Sequence, residues 1–431
     1  MRNGLVADGV LGLSCCCVVL LSLVGSPGVA HSAEAAPAAQ EAQETSPAPD
    51  LQGALGRAKA AIDRGAAWLR DHQNPDGGYG PFGEKYVRIK NASDLGITSF
   101  VVYALARCPR QYKYVDGPFI SMAVDFLLEC QQPSGAFYDL RDPSLPNYKT
   151  SVTGMALLEL NRSKYADVIL RSREFVEALQ FSEANGYERA KHAYYGGFGY
   201  GSGLRADNSN SQFAAEFLYL SGLSQSDELW QRLEIFSRRG VNSPEVDPIL
   251  AAEGIGSTGD GGGRYGPTIT RGPTETLDDG RLGFSSYGSM SYAVLKTLLY
   301  AQVERDDPVM RGLYRWISRN FTVTENPGMA TRKNPHAGRH GLYYYYHTMS
   351  KSLRIWGEPT VRDAEGRKRH WATELIAQLS TVQQPDGSWL NTSDRWYENI
   401  PALNTAYAIV TLSECSDAIK KELAFKAAAE E

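Results

Sequence analysis

His347 closes the run Tyr343-Tyr344-Tyr345-Tyr346-His347-Thr348. Imidazole has an intrinsic pKa near neutrality, so a proton carrier at this position is one reading, and a wall histidine held by tyrosine hydroxyls is the other. Upstream, Tyr287 and Ser289 flank Gly288. Two carboxylates stand side by side in Thr276-Leu277-Asp278-Asp279-Gly280, where adjacent acids could do proton transfer and the glycine-rich context also fits a surface turn. Tyr194, Tyr195, Phe198, Tyr200, the four tyrosines before His347, Trp396 and Tyr397 gather in the connections between helices. Such aromatics suit a polyisoprenoid and its carbocations, stack equally well on sugars, and also serve plain packing. The candidates are therefore His347, Tyr287, Asp278 and Asp279 for catalysis, and Tyr345, Tyr346, Ser289, Tyr200 and Trp396 for ligand binding.

These residues need elements to hold them, and the chain has a regular pattern of them. From Leu51 onward a charged helix with one apolar stripe leads to a Gly-aromatic turn and then to a helix apolar on nearly every side. A one-faced helix packs with its other side in water, whereas a helix apolar all round must be enclosed by neighbours. Striped helices are expected near 55–72, 119–130, 168–180, 228–238, 309–320 and 371–383, and enclosed ones near 95–106, 152–160, 212–220, 289–301, 344–356 and 405–414. Stacking such pairs buries each apolar face in the next. The chain lacks distinct polar caps at its ends, so the stack is expected to close on itself as an all-α (α/α)6 toroid. The enclosed helices begin with polar residues, among them Asp94, Asn210 and Asn404. If those ends share one side of the ring, their N-termini create a field that favours anions there, while the same residues also read as N-caps.

The turns add a resemblance. Arg64-Gly65-Ala66-Ala67-Trp68-Leu69 followed by Gln73, Gly77 and Tyr79 resembles the QW repeat of squalene and hopene cyclases, with Tyr in place of the final Trp. Phe126-Leu127, Gln131, Gly135 and Phe137 repeat it, and Leu379, Gln383 and Asp386-Gly387-Ser388-Trp389 keep the Trp. A third copy begins at Phe175-Val176 and Gln180, and only Gly283-Phe284 and Arg311-Gly312, Trp316-Ile317 stand for the next two. The chain thus resembles the terpenoid cyclase and protein prenyltransferase superfamily over nearly all of its length after residue 50. Physically, Gly can end a helix in the left-handed conformation, Gln can satisfy stranded carbonyls, and the aromatic wedges between units.

The resemblance also makes the candidate site specific. Tyr345-Tyr346-His347-Thr348 looks like the segment in which prenyltransferase β subunits carry a zinc-binding histidine, and Tyr287 and Ser289 occupy the register of that family's Asp and Cys ligands. Neither tyrosine nor serine is a usual zinc ligand, so no metal and no other cofactor is expected. Class II terpenoid cyclases protonate their substrate from an Asp-x-Asp-Asp motif, and Asp278-Asp279 is the closest match, with Thr276 in place of the first Asp. Gly254-Ile255-Gly256-Ser257-Thr258-Gly259 has the letters of a dinucleotide fingerprint without a surrounding strand, and reads as a loop.

Composition sets the frame. The chain has 431 residues, 42% hydrophobic and 22% charged, with a net charge of -5, which supports a large core and lacks the basic excess of a nucleic-acid binder. Arg2, the apolar stretch Val10 to Val24 and the small residues around Gly28-Val29-Ala30 and Ala33-Glu34-Ala35 read as a secretory signal peptide, too short in its apolar part to span a bilayer. The expected organisation is a signal peptide over 1–33, a linker over 34–50, a toroid over 51–416 with a Gly-rich insertion at about 240–281, and a tail over 417–431. The protein is then exported to the periplasm or beyond, with no transmembrane anchor after cleavage and no nucleic-acid partner. Its partner is expected to be a small-molecule or glycan ligand in the toroid cavity: an isoprenoid-type or other bulky molecule that it binds or converts. The alternatives are a polysaccharide lyase or hydrolase, and a non-catalytic binding protein of the cell envelope.

Overall fold

The computed structural model describes residues 49–81, 93–201, 203 and 205–430. The signal peptide and nearly all of the linker expected from the sequence lie outside the described residues. In chain order the helices are α1 (Leu51–Asp71), α2 (Leu95–Arg107), α3 (Pro118–Glu129), α4 (Pro146–Asn161), α5 (Ala166–Ala178), α6 (Asn208–Ser221) and α7 (Glu228–Arg239). They continue with α8 (Pro248–Ala252), α9 (Gly288–Tyr300), α10 (Pro308–Arg319), α11 (Leu342–Trp356), α12 (Trp371–Val382) and α13 (Pro401–Glu430). Two small hairpins, β1 (Thr274–Thr276) with β2 (Leu282–Phe284) and β3 (Val361–Arg362) with β4 (Lys368–Arg369), are the strand elements among the described residues.

Helix starts are set locally by side chains that satisfy otherwise stranded N–H groups. Asp50, Asp94, Asp207, Asp227 and Asp307 cap α1, α2, α6, α7 and α10 in this way. The two helix types then separate by burial. Helix α10 buries one stripe, Met310, Leu313, Trp316 and Ile317, whereas in α9 every residue from Gly288 to Leu298 is enclosed. Each enclosed helix packs on the next in the order α2, α4, α6, α9, α11, α13, and α13 packs back on α2. That last contact closes the inner ring. Helices α1, α3, α5, α7, α10 and α12 lie outside it, with α1 against both α12 and α13. The fold is an (α/α)6 toroid.

The turn between an outer and the following inner helix is built in the same way around most of the ring. Gly77, Gly135, Gly196 and Gly387 all have positive φ, and a Cβ on any of them would lie within 2.7 Å of the carbonyl oxygen of Met122, Arg171, Arg232 or Arg64, on the neighbouring outer helix. Only glycine serves both demands. Two residues later the backbone N–H of Tyr79, Phe137, Phe198 or Trp389 donates to a hydroxyl of the inner helix, Thr98, Thr150, Ser211 or Thr405, at 2.8–3.2 Å. The turn glutamines reach in the same direction: Gln73 donates to the Gly77 and Phe119 carbonyls and Gln180 to those of Gly196 and Leu229.

Two readings change here. The fourth turn is not at Gly283-Phe284, which forms strand β2, but at Asp260-Gly261-Gly262-Gly263. Gly261 has positive φ and abuts the Gly312 carbonyl of α10, and the Gly263 N–H donates to Ser291 at 2.9 Å. Part of the supposed insertion is therefore repeat. Residues 417–430 are also not a loose tail: they continue α13, with Asp417 paired to Arg107 at 2.5 Å and Glu422 to His370 at 2.8 Å. No helix among the described residues is long and apolar enough to cross a membrane.

Candidate functional site

All six inner helices open on the same side of the ring. Gly96 and Ile97 of α2, Tyr148 and Lys149 of α4, Ser209 of α6, Ser289 and Met290 of α9, Tyr344 of α11, and Leu403 and Tyr407 of α13 line one cavity of about 380 Å³. Every one of these residues belongs to the first or second turn of its helix. The connecting segments complete the wall with Leu145, Tyr200, Tyr265, Tyr287, Trp396, Tyr397 and Glu398, among others. Hydroxyl groups satisfy one another around the cavity: Tyr148 with Tyr407 at 3.2 Å, Tyr200 with Tyr265 at 3.0 Å, and Tyr344 with Ser209 at 3.1 Å. With hydroxyls paired off, the rings present apolar faces to the space between them.

Four of the six inner-helix N-termini are already taken by the protein's own side chains. Asp94 caps α2, Asp207 caps α6, Asn326 accepts from the Ser289 N–H at the start of α9, and Glu398 covers the start of α11. The field that could have drawn an external anion is occupied by the protein's own oxygens. Lys149, the one cation among the described lining residues, is held by Asp142 at 2.7 Å.

Glu398 is the group in this wall whose chemistry is most altered. Its side chain is buried, Oε1 accepts from the Tyr344 N–H at 2.9 Å, and Oε2 accepts from Asn391 Nδ2 at 2.6 Å. Burial lifts its carboxyl to about 7, against the opposing pull of these hydrogen bonds. Burial likewise raises Asp207 to about 6 and moves Asp94 upward. Asp94 and Glu398 both face the cavity, so two carboxyl groups that resist ionisation stand on an aromatic wall.

Opposite this mouth, the axis of the ring is filled. Lys296 and Lys351 hold Glu216 at 2.5 Å each, Lys351 also takes the Tyr103 hydroxyl at 2.6 Å, and Glu414 is bound by Arg354 and lies 3.4 Å from Arg107. Burial works against the charge of Glu414, but Lys351, Arg354 and Arg107 hold its carboxyl down to about 2. The cavity therefore has one end.

The residues picked from sequence scatter. Tyr287, Ser289, Tyr200 and Trp396 line the cavity. Tyr345 and Tyr346 instead turn outward and donate to the Thr322 and Val323 carbonyls at 2.7 Å each, so their rings tie α11 to the preceding segment and do not face a ligand. Asp278 and Asp279 are exposed in the turn joining β1 to β2, where Asp279 pairs with Arg281 at 2.5 Å. That turn is not part of the cavity wall. His347 is fully buried behind Phe100 and Tyr407, with ring centroids 5.9 and 5.3 Å away. Neither of its nitrogens has a partner among the described residues, so no tyrosine hydroxyl holds it in the wall. Burial, with Lys351 and Lys296 nearby, pushes its pKa well below the usual value, which removes the near-neutral titration that recommended it. Among the described residues no three His, Cys, Asp or Glu side chains cluster as a metal-ligand set.

Glu398, Asp94 and Lys149 carry the polar chemistry of the cavity. Asp94 had been read both as a polar start of an inner helix and as its cap, and Glu398 and Lys149 were missed. Asn391, which donates to Glu398, offers no recognisable spacing; the one usable cue was that Glu398 directly follows Trp396-Tyr397, already marked as an aromatic cluster.

No protein-family model matches the sequence, and no curated protein is similar to it. Solved structures do share the fold. The structure of type II terpene cyclase MstE from Scytonema without ligand aligns with 84% of this chain and 99% of its own, with a TM-score of 0.51 at 14% identity. A variant of that cyclase in complex with geranylgeranyl dihydroxybenzoate gives a TM-score of 0.49 at 14% identity over 85% of this chain and 99% of its own. A possible member of the GH105 family from Salmonella enterica gives 0.48 at 12% identity over 88% and 98%. The chain thus has the α/α toroid fold of a type II terpene cyclase.

Proposed function

We propose that this terpenoid cyclase-like toroid takes a bulky, largely apolar ligand of isoprenoid type, and that Glu398 is the group that exchanges a proton with it. The observation that carries the reading is the one-ended, tyrosine-walled cavity with a buried carboxyl on its wall. A carboxyl whose proton affinity lies near neutrality is partly protonated at physiological pH, and can donate to a centre that is losing a leaving group or gaining charge, then take the proton back. Aromatic faces around it stabilise positive charge that develops on the ligand. The one cation among the described lining residues is neutralised by Asp142, so the inner part of the cavity suits a neutral body better than a polyanionic sugar chain. The N-terminal segment supports an exported location for this activity.

The test is a binding comparison on the purified protein, with a polyprenyl alcohol such as geranylgeraniol in one arm and an oligogalacturonide in the other, followed by calorimetry. Micromolar binding of the alcohol, weakened about tenfold or more by Tyr148→Ala, supports the reading. In Glu398→Gln the alcohol should still bind while any conversion detected by mass spectrometry is lost. Binding of the oligosaccharide without the alcohol would replace this reading with the polysaccharide one.

A further inference from the structure

The cavity wall is nearly neutral, but its rim is not. Arg271 lies over the Tyr265 ring, its guanidinium carbon 5.2 Å from the centroid, and Arg395 lies over the Trp396 ring at 4.7 Å. Tyr265 and Trp396 both line the cavity. The two arginines come from different loops, one before β1 and the other before α13, and they meet: Arg395 Nη2 is 3.4 Å from the Arg271 carbonyl. Both side chains are solvent-exposed, and neither forms an ion pair with a carboxylate among the described residues. Arg239 and Arg281, by contrast, pair with Asp247 and Asp279. The field of the pair reaches the cavity. Burial holds the Tyr287 phenol above its ordinary value, and Arg271 and Arg395 pull in the opposite direction.

We infer that Arg271 and Arg395 form a receptor for an anionic head group, so that the ligand is an amphiphile with its apolar body among the tyrosines and a carboxylate or phosphate at the rim. This rests on the apolar-ligand reading above and specifies the other end of that ligand. Two guanidinium groups stacked on fixed aromatic faces are partly immobilised before binding, and each offers a planar fork of donors that matches two oxygens of a carboxylate or phosphate. The carboxylate partner they lack among the described residues is what such a head supplies. At the N-termini of α2, α6 and α11 the place of such an anion is already taken by Asp94, Asp207 and Glu398.

The experiment compares geranylgeraniol, geranylgeranoic acid and geranylgeranyl monophosphate as ligands of the full chain, by calorimetry at low and at high salt. The acid, the monophosphate or both should bind the wild-type protein at least about tenfold more tightly than the alcohol, and that preference should shrink as salt screens the arginines. In the Arg271→Ala, Arg395→Ala double variant the ratio of acid to alcohol affinity should fall to within about twofold of unity. Arg271→Lys, Arg395→Lys should keep part of it, since charge remains while the fork is lost. Whichever anion is preferred identifies the head. Equal binding of all three, or a preference that survives in the double alanine variant, overturns the head-group receptor and leaves the apolar cavity reading standing. If none of the three binds, the apolar reading falls and the receptor with it.

Discussion

Glu398 shows how a residue acquires chemistry from its surroundings. A carboxyl with an ordinary value of about 4.3 in the unfolded chain and about 7 in the folded one binds its proton more readily in the folded state. Its contribution to stability is therefore fully present below the unfolded value and is lost as pH rises through 7. Glu398→Gln removes that loss, so the melting temperature of the variant relative to wild type should rise by a few degrees between pH 5 and pH 8, as scanning calorimetry would record. A difference that does not vary with pH would mean that Glu398 ionises normally. His347 gives the opposite case. A buried imidazole with both nitrogens unpartnered among the described residues, beside Phe100, Phe213 and Tyr407, gains little from its polarity, and the cost of such a group is about 1–3 kcal/mol. His347→Phe should leave the melting temperature unchanged or raise it; a clear fall would show that the imidazole is bonded after all. The chemical type of both residues is plain in the sequence, but burial, which sets their proton affinity, is not.

At the scale of elements, the turns were the most legible part. Gln, Gly and an aromatic recur because each unit must end one helix, pass close to the next unit and start another, and those local demands leave local marks. Gly196 shows the demand most sharply, with φ at +88° and a Cβ site 1.8 Å from the Arg232 carbonyl. Gly196→Ala should therefore cost at least as much as a buried cavity, seen as a melting temperature lowered by several degrees. Trp389 is fully buried, donates its indole N–H to Leu379 at 2.9 Å and packs against Gly65. Trp389→Ala should cost about 3–5 kcal/mol in denaturant titration while leaving the cavity wall chemically intact. The fourth turn was read at the wrong glycine because the segment around it is rich in glycine, and letters alone did not say which one faces a backbone. The Asp-Gly-Gly string shared by Asp76-Gly77-Gly78 and Asp260-Gly261-Gly262 was the signal that would have found it.

Over the whole molecule, closure of the ring means that no repeat is terminal. An open stack of repeats can unfold from its ends, whereas here α13 packs on α2 and α1 on α12, so residues 49–430 should melt in one cooperative transition, with calorimetric and van't Hoff enthalpies in agreement. Stepwise melting would show that closure adds little. The ion network along the axis joins all six inner helices, and Lys351 is its hinge, holding Glu216 and lying 3.5 Å from Glu414. Lys351→Met leaves buried carboxylates short of a partner and should cost about 3–5 kcal/mol. Because Glu216 and Glu414 are both held below their ordinary values, their contribution is present above the unfolded carboxyl value and is lost as pH falls below it.

The sequence by itself determined that this chain is a ring of paired helices, which helices face inward, and that the inner ones begin with polar residues. Amphipathic period, helix caps and left-handed glycines are properties of ten or twenty neighbouring residues, and they are written where they act. Only the tertiary structure decided which polar groups share the cavity. Glu398 reaches the start of α11 from the segment before α13, Arg395 meets Arg271 across more than a hundred residues of chain, and His347, in the register of a family's ligand, is shut behind Phe100 and Tyr407. Those juxtapositions are set by how the ring closes and how deeply each side chain is buried, and no local pattern records either.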